Sequence, residues 1–429
     1  MTGFLSISEA QEVYYNEAKK LYRSQRISGA TVAVELLLAQ TALLLSFWAP
    51  QDTEAEANSC WVDRAIYHAR SVLAKSDISK GRQSGRLRVL YWSCHLRNTQ
   101  LSYALRRPHR LHSMTNCLFS ADDLIFDFAN ERRSPQFCDQ QTKFVQIHLF
   151  IWSCKLSQIL NNALIFRGHC TNQVLWTIKK PVVQYSTDED ERRRADALTD
   201  SRLSYFGLEK YELEILQLEA TYLKILSLDI SSIRIPCKWK GCSEIIIPLY
   251  NVLIMSRSSI VSLYEPFVSQ TGSPHCEDIR QQTFLKLQDA SSAVAIVVDK
   301  LLSLVRLDAI PVSFVAWVIF PAAVLLIAPC RHSSDEVRSP AVSERVHSSH
   351  ERSPFRLIRL QMSRFKGAQA VWKTMQDVYS LTTKAASSES LNFSSVPQSS
   401  KRTKDCSSEV DLLAHILRLL DLDLSYGKL

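Results

Sequence analysis

The chain has 429 residues, more than one compact domain usually contains, so its length predicts two or more compact units. Hydrophobic residues make up 46%, enough for a large buried core, and only 10 residues are glycine. Sheet-rich and nucleotide-binding folds use more glycine in their turns and phosphate loops, so a mostly helical protein is favoured. The net charge of +8 is too mild to indicate a nucleic-acid partner by itself.

The 11 cysteines are scattered singly, and none of them forms a C-x2-C pair. Several, such as Cys94 and Cys154, stand among apolar residues. An odd number without a spacing pattern predicts free thiols in a reducing compartment, packed as small hydrophobic side chains. The first residues also lack the basic start and apolar run of a signal peptide.

The first half of the chain shows apolar residues at helical spacing in five segments. Gly29 separates the first segment from the second, and Pro50 follows the second. Pro108 ends the fourth, because the residue before a proline avoids the helical region. The predicted helices cover residues 8–23, 31–48, 60–75, 86–107 and 141–166.

The second half continues as helices separated by polar segments. A charged loop is predicted over residues 186–202 and a Ser-rich insertion over 331–354. The predicted helices cover 209–228, 244–264, 281–306 and a regular amphipathic stretch from Ile358 to Tyr379. The sequence shows no internal repeat and no alternation typical of strands, so the predicted fold class is all-α and multi-helical.

Two apolar stretches, residues 30–50 and 309–330, each have about the 20 residues that cross a bilayer. The first carries Glu35 and Gln40 in its middle, and the second carries Pro321. An acidic residue at the centre of a span is unfavourable by roughly 2.5–3.5 kcal/mol. Buried core helices are therefore favoured, and a two-span membrane protein is the alternative.

Motifs of known chemistry are absent from the sequence. It contains no G-x-G-x-x-G, P-loop, G-x-S-x-G or H-E-x-x-H pattern, so we expect no enzyme and no cofactor. His347 and His350 are close together but lie in the Ser-rich insertion. Cys237 and Cys242 have no second pair at zinc-site spacing. We expect no metal site.

The segment RLRVLYWSCHLRNTQLSYALRRPHRL, residues 86–111, combines aromatic and basic residues. Exposed aromatic rings next to arginines are typical of nucleic-acid surfaces. Here Tyr91 and Trp92 lie on two apolar helical stripes and are predicted to be buried. The arginines suit the negative end of the helix dipole, so a core helix with a charged carboxyl end is favoured. The basic cluster comprises Arg97, Arg106, Arg107 and Arg110.

The residue order of this segment resembles the signature of the fungal-specific transcription factor domain, in the form found in cutinase transcription factors. That domain is the helical regulatory region of zinc-cluster regulators. The resemblance extends over about residues 10–384, although only the signature is specific. The matching residues are Tyr91, Trp92, Ser93, Cys94, Arg97, Leu101, Ser102, Arg106, Arg107, Pro108 and Arg110.

The resemblance implies a nuclear transcriptional regulator with a regulatory domain over residues 1–384. A Ser-rich linker, 385–408, and an amphipathic helix, 409–429, follow it. That helix either packs back on the domain or offers its leucines to a partner helix. The expected partners are other transcription proteins or a second copy of the chain. Such regulators often control metabolic or secondary-metabolite gene clusters.

The sequence departs from the family pattern in two places. Asn98 and Thr99 replace the Asp and the second Arg that follow the first signature arginine. Replacing both members of a buried ion pair can be neutral for stability, whereas removing one leaves a buried charge without compensation. The sequence also lacks the cysteine spacing of a zinc cluster. Zinc and direct DNA contact are therefore expected only from a module outside these 429 residues.

Overall fold

A computed structural model describes most of the chain, and all the regular structure in the described residues is helical. The predicted all-α fold class is therefore confirmed. The described residues are 7–25, 31–47, 57–75, 82–104, 106, 120–133, 135, 137–178, 187–228, 236, 239, 242–268, 274–311, 313–327, 353–362, 366–390 and 410–421.

The chain divides into two compact units, with the boundary between Gln158 and Ile159 in the middle of one long helix. Unit 1 contains α1 to α6 and the first half of α7. Its helices are α1 Ile7–Ser24, α2 Val32–Leu45, α3 Ala57–Lys75, α4 Arg82–Ala104, α5 Leu124–Asp127, α6 Ala129–Arg133 and α7 Gln140–Ile178. The five helices predicted in this half of the sequence are all present.

The core of unit 1 is built on bulky aromatic side chains. Trp61, Trp92 and Trp152, from α3, α4 and α7, are fully buried. Helix α2 packs mainly on α3, and α3 packs on α4. Thr31 caps α2 by accepting a hydrogen bond from the backbone N–H of Val34 at 3.4 Å. This satisfies one of the amide groups that the first turn of a helix leaves free.

Unit 2 contains the second half of α7 and the later helices. These are α8 Thr187–Ile225, α9 Ser243–Val268, α10 Pro274–Leu304, α11 Ser313–Ile327, α12 Ser353–Gln361, α13 Lys366–Ser390 and α14 over 410–421. Helices α9 and α10 make the most extensive contact. Gly207 on α8 faces Phe166 on α7, where a Cβ atom would lie 2.2 Å from the ring Cζ, so an alanine here would require the ring to move.

The predicted charged loop over residues 186–202 is wrong, because residues 187–202 form the first turns of α8. This segment contains neither glycine nor proline. Its four consecutive acidic residues, 188–191, stand at the amino end, where the helix dipole favours negative charge. Alanine and arginine, both good helix formers, follow them. The high density of charged residues in this segment predicted exposure to solvent, but it did not justify the prediction of a loop.

The amphipathic stretch from Ile358 to Tyr379 was predicted as one helix and forms two, α12 and α13. The Gln369 side-chain amide donates a 2.9 Å hydrogen bond to the backbone carbonyl of Met362, just after α12 ends. This contact satisfies a carbonyl that the helix end leaves free. Helix α13 continues to Ser390, into the predicted linker 385–408, whose later residues lie outside the described part of the chain. The Ser-rich segment 331–354 also lies outside it, except for residues 353–354, which begin α12.

Most of the apolar side chains of the carboxy-terminal helix α14 are buried. Only Leu419, 39% exposed, is substantially accessible among its leucines. Asp411 at the start of α14 pairs with Arg280 on α10. The face proposed for partner binding is therefore not available to a partner in this structure. The buried side chains are Val410, Leu413, Ile416, Leu417 and Leu420.

The two stretches considered as membrane spans form α2 and α11, which have 14 and 15 residues. Both are shorter than the roughly 20 residues that cross a bilayer. Two other stretches among the described residues, Gln140–Phe166 and Ser243–Val268, are long and apolar enough to cross one. Their most apolar windows are 50% and 78% buried. Core helices pass the same test, so these stretches are weak evidence for a membrane protein.

Candidate functional site

The signature segment forms helix α4, and its aromatic pair lies in the core of unit 1. Tyr91 and Trp92 are 3% and 0% exposed, and Cys94 is equally inaccessible. Their predicted burial is confirmed. Ser93 is half-buried and donates its hydroxyl hydrogen bond to the Val89 carbonyl at 2.8 Å. The rings therefore cannot serve as stacking platforms for nucleic-acid bases, which need exposed faces.

Arg97 is the buried cation of the signature, and it caps the carboxyl end of α2. One guanidinium nitrogen donates to the Ser46 backbone carbonyl at 2.6 Å, and Nε lies 3.3 Å from the Ser46 hydroxyl. The guanidinium also stacks over the Phe47 ring at 4.2 Å. Burial lowers the pKa of Arg97 to about 10, so it stays charged at neutral pH. The negative end of the α2 dipole favours this charge.

Asn98 and Thr99, which stand where the signature that this segment resembles has charged residues, are both buried. The Thr99 hydroxyl donates to the His95 carbonyl at 3.0 Å, within α4. Next to them, the Ser102 hydroxyl donates to the Asn98 carbonyl at 2.9 Å. The positions of the expected ion pair are thus neutral, and the partners of Arg97 described above are also neutral. Both members of the expected ion pair are therefore replaced together, so neither position leaves a buried charge without compensation.

The carboxyl end of the signature is only partly described. Arg106, two residues after the last residue of α4, has a φ of 52°. A residue in this left-handed conformation often terminates a helix. Arg107, Pro108 and Arg110 lie outside the described residues.

His95 on α4 is a buried neutral imidazole. Its Nδ1 atom lies 2.9 Å from the Ser157 hydroxyl on α7, and only 1% of the residue is exposed. Burial lowers its pKa to about 4. Beside it, burial raises the pKa of the Cys94 thiol to about 12. Both groups are held in their neutral forms, which suits packing and not nucleophilic catalysis.

A small cavity lies between α3 and α4, next to His95. Its volume is about 10 Å³, room for one water molecule, whereas sites for small-molecule ligands usually measure about 300–1,000 Å³. In this conformation the cavity cannot hold a metabolite-sized effector. Its walls are formed by Ile66, Ala69, Arg70, Leu73, Tyr91, Cys94 and His95.

A buried chain of hydrogen bonds links α1, α2 and α3. The Glu35 carboxylate lies 2.6 Å from His68 Nδ1, and His68 Nε2 lies 2.7 Å from the Tyr22 hydroxyl. Next to this chain, the Trp61 indole N–H donates to the Tyr15 hydroxyl at 2.7 Å. Glu35, the acidic residue in the apolar α2 sequence, is therefore explained by a buried partner within unit 1.

Unit 2 has its own polar cluster, centred on Lys286 of α10. The Lys286 ammonium lies 3.0 Å from Glu209 Oε1, 2.9 Å from Glu212 Oε2 and 3.1 Å from the Tyr264 hydroxyl. Tyr264 donates to Glu212 at 2.6 Å. Burial works to lower the pKa of Lys286, but the hydrogen bonds to both carboxylates outweigh it and the pKa is raised. The cluster joins α8, α9 and α10.

The sequence predicted the burial of the signature helix but missed these polar contacts. Glu35 carried a usable signal, because a carboxylate in an apolar helix needs a buried partner. Arg97 and Lys286 carried none, since their partners become neighbours only after the helices pack. Within the described residues, no group of three His, Cys, Asp or Glu side chains is placed to bind a metal ion.

Comparison with known proteins gives one partial similarity. No protein-family model and no solved structure matches the chain. Over 113 residues it is 32% identical to a protein named "Transcription factor" from Fusarium pseudograminearum (strain CS3096). The match covers 25% of this chain, and the chain spans only 12% of the length of that relative.

Proposed function

We propose that the chain is the regulatory region of a fungal transcriptional regulator and that it acts in the nucleus. The observation that supports this most is the similarity to a fungal protein named a transcription factor. The burial of Tyr91 and Trp92 on α4 is in keeping with a signature that stabilises a helical regulatory domain. The resemblance of residues 86–111 to the fungal-specific transcription factor domain supports the same function.

In this proposal the chain works by contact with other proteins and not by catalysis. DNA is reached through a zinc-cluster module or a partner, and no residue described above is assigned to DNA. The expected partners are other transcription proteins or a second copy, and the expected targets are genes of a metabolic or secondary-metabolite cluster. No cofactor is required.

The direct test is recruitment to a promoter. The chain is fused to an unrelated DNA-binding domain, and expression of a reporter with the matching binding site is measured. We expect expression to differ from that with the DNA-binding domain alone. Trp92→Ala, which opens the core of unit 1, should abolish the difference, and Tyr67→Ala, at a side chain 64% exposed, should retain it. An expressed nuclear fusion that leaves the reporter unchanged would overturn the proposal.

Localisation separates this proposal from the membrane alternative. A fluorescently tagged chain should accumulate in the nucleus, and alkaline carbonate should release the chain from cell membranes. Retention in the carbonate-resistant pellet would favour the two-span alternative.

DNA binding by the isolated chain is a further test. In a gel-shift assay with competitor DNA, the purified chain should show no site-selective binding, because its sequence lacks the cysteine spacing of a zinc cluster. Selective binding would contradict the assignment of DNA contact to another module. Turnover of substrates from a metabolite panel would likewise contradict the expectation of a non-enzymatic role.

A further inference from the structure

Helix α12 is a short segment that lies on two longer helices of unit 2. Its nine residues, Ser353–Gln361, pack on α10 and α11. One side of the helix is fully buried, because Phe355, Leu357 and Ile358 are at most 1% exposed. Isolated helices shorter than about 12 residues are marginal in water, so α12 depends on these contacts for its stability.

A polar contact fastens each end of α12. At the first residue, the Ser353 hydroxyl donates to Asp299 Oδ1 on α10 at 2.8 Å, and this contact is exposed to solvent. At the last residue, the Gln361 side-chain amide donates to the Ile310 backbone carbonyl at 3.1 Å, and this contact is buried. Of these two contacts, the one at Ser353 can therefore be reached from outside the fold.

The serine at this end of α12 is followed by a proline. Four of the 14 prolines in the sequence follow a serine, and these serines are Ser134, Ser273, Ser339 and Ser353. A serine directly before a proline is the minimal target of a proline-directed protein kinase. Ser353 is the one of the four that lies within the part of the chain that the structure describes, and there its hydroxyl fastens one helix to another.

A phosphate on Ser353 would change its contact with Asp299 from attraction to repulsion. The ester oxygen carries no hydrogen, so the bond to Asp299 is lost, and the phosphate brings about −1.5 to −2 charges to the carboxylate. The amino end of a helix carries only about +0.5 charge, so the helix dipole cannot offset this repulsion. Arg356, which is exposed one turn along, belongs to α12 itself. Its attraction for the phosphate would therefore not hold α12 on α10.

We propose that Ser353 is a phosphorylation site of a proline-directed protein kinase and that its phosphate releases the start of α12 from α10. In this step the Ser353 Oγ atom attacks the γ-phosphorus of ATP, the bond from that phosphorus to the bridging oxygen breaks, and ADP leaves. The hydroxyl proton passes to the catalytic aspartate of the kinase. Because Pro354 is buried, the kinase acts when the first turn of α12 opens, and the phosphate then keeps this turn open.

The first test is phosphorylation of the purified full chain, which does not depend on any role in transcription. The chain is incubated with ATP and Mg²⁺ and either a mitogen-activated or a cyclin-dependent protein kinase, and mass spectrometry of a digest locates the phosphate. Ser353 should be modified. Ser353→Ala should remove that phosphopeptide and leave modification of the other Ser-Pro sites unchanged. Absence of phosphate from Ser353 with both kinases would overturn the proposal.

The rate of modification tests the role of Asp299. Asp299→Ala should raise the initial rate of Ser353 phosphorylation by about three- to tenfold, because it removes the hydrogen bond that holds the first turn closed. Asp289→Ala is the matched control, because Asp289 is also exposed on α10 but is not the partner of Ser353. This variant should be modified at the wild-type rate. Equal rates in all three chains would contradict the gating of the site by Asp299.

Hydrogen exchange of the backbone amides in α12 tests the release. The amides of Leu357 and Ile358 are the first that bond to carbonyls of the opening turn. In the phosphorylated chain they should exchange at least about tenfold faster than in the unmodified chain, because the phosphate repels Asp299. The amide of Gln361 should change less, because the buried contact at that end remains. In Asp299→Ala the phosphate should have a smaller effect. Phosphate on Ser353 that leaves exchange unchanged, or that accelerates it equally in Asp299→Ala, would overturn release by repulsion.

Discussion

The two units of the molecule each contain a cation with a different kind of partner: Arg97 in unit 1 is buried, and Lys286 in unit 2 is half-buried. In unit 1, Arg97 bonds to the neutral oxygens of Ser46, and His95 bonds to a serine hydroxyl. In unit 2, Lys286 contacts two carboxylates, and Glu219 forms an ion pair with Arg257. The contrast holds for these groups and not for the whole units, because unit 1 also contains the ion pair of Arg88 with Asp127. Substitutions of Arg97 and of Lys286 that leave packing intact should therefore have different effects.

Burial also changes the acid response of the units in opposite directions. Desolvation lowers the pKa of His95 to about 4, and it raises the pKa of Glu219 despite the attraction of Arg257. Both shifts favour the neutral form. For His95, the unfolded chain binds a proton that the folded chain excludes, so acid destabilises unit 1. For Glu219, the folded chain binds the proton more readily than the unfolded chain does, so acid stabilises unit 2.

The largest effect is expected from the core of the signature helix. Trp92→Ala should lower the free energy of unfolding of unit 1 by about 3–5 kcal/mol, because it removes a fully buried indole. Urea unfolding followed by circular dichroism measures the change. Tyr67→Ala, at an exposed aromatic residue of α3, should change stability by about 0.5 kcal/mol or less. Equal losses in the two variants would contradict the described position of α4 in the core.

The pH response of His95 is the next largest effect. Its contribution to the stability of unit 1 is fully present above the unfolded pKa of 6.5 and is lost as pH falls towards about 4. The loss amounts to about 3 kcal/mol. The urea midpoint of the wild-type chain should therefore fall between about pH 7 and about pH 4.5. The urea midpoint of His95→Asn, which cannot take up this proton, should fall less over the same pH range.

Glu219 provides the opposite control. Glu219→Gln removes a carboxyl whose pKa is raised in the folded state, so the variant should lose the stability that wild-type unit 2 gains on acidification. The stability of unit 2 is measured by hydrogen exchange of the backbone amides in α9, with the rates at each pH corrected for the intrinsic exchange rate.

For His95, the contradicting outcome is a loss of stability in acid that is steeper in His95→Asn than in the wild-type chain.

Lys286→Met tests the charged cluster of unit 2. The substitution leaves Glu209 and Glu212 beside Tyr264 without their cation and should destabilise the unit by about 2 kcal/mol. Lys20→Met is the matched control, because Lys20 belongs to an exposed pair in α1, and it should change stability by about 0.5 kcal/mol or less. Adding Glu212→Gln to Lys286→Met should recover part of the loss, as a double-mutant cycle would show.

Much of the fold was predictable because it rests on helical periodicity. The apolar stripes of α4 correctly placed Tyr91 and Trp92 in the core, and they required no knowledge of neighbouring helices. The acidic start of α8 was misinterpreted as a loop because charge reports solvent exposure and not backbone conformation. Periodicity also could not detect the end of α12, where a side-chain amide from α13 satisfies a backbone carbonyl.

The polar contacts of both units could not be predicted from the sequence, for a different reason. Tyr22, Glu35 and His68 come from three helices, and Lys286 meets glutamates that precede it by more than 70 residues in the chain. Such pairs depend on the crossing of packed helices, which a single sequence does not determine. Only the presence of Glu35 in an apolar segment indicated that a buried partner must exist.

The smallest effect is expected from Arg97, although Arg97 is the more deeply buried cation. Arg97→Met removes a charge whose described partners are neutral, so no carboxylate is left uncompensated. The remaining loss comes from the Ser46 carbonyl and from the stacking on Phe47, and it should amount to about 1 kcal/mol. Urea unfolding should therefore show a smaller change than for Lys286→Met, although burial alone would predict the reverse order. A loss for Arg97→Met well above that for Lys286→Met would mean that Arg97 balances a negative charge, and the contrast between these two cations would fail.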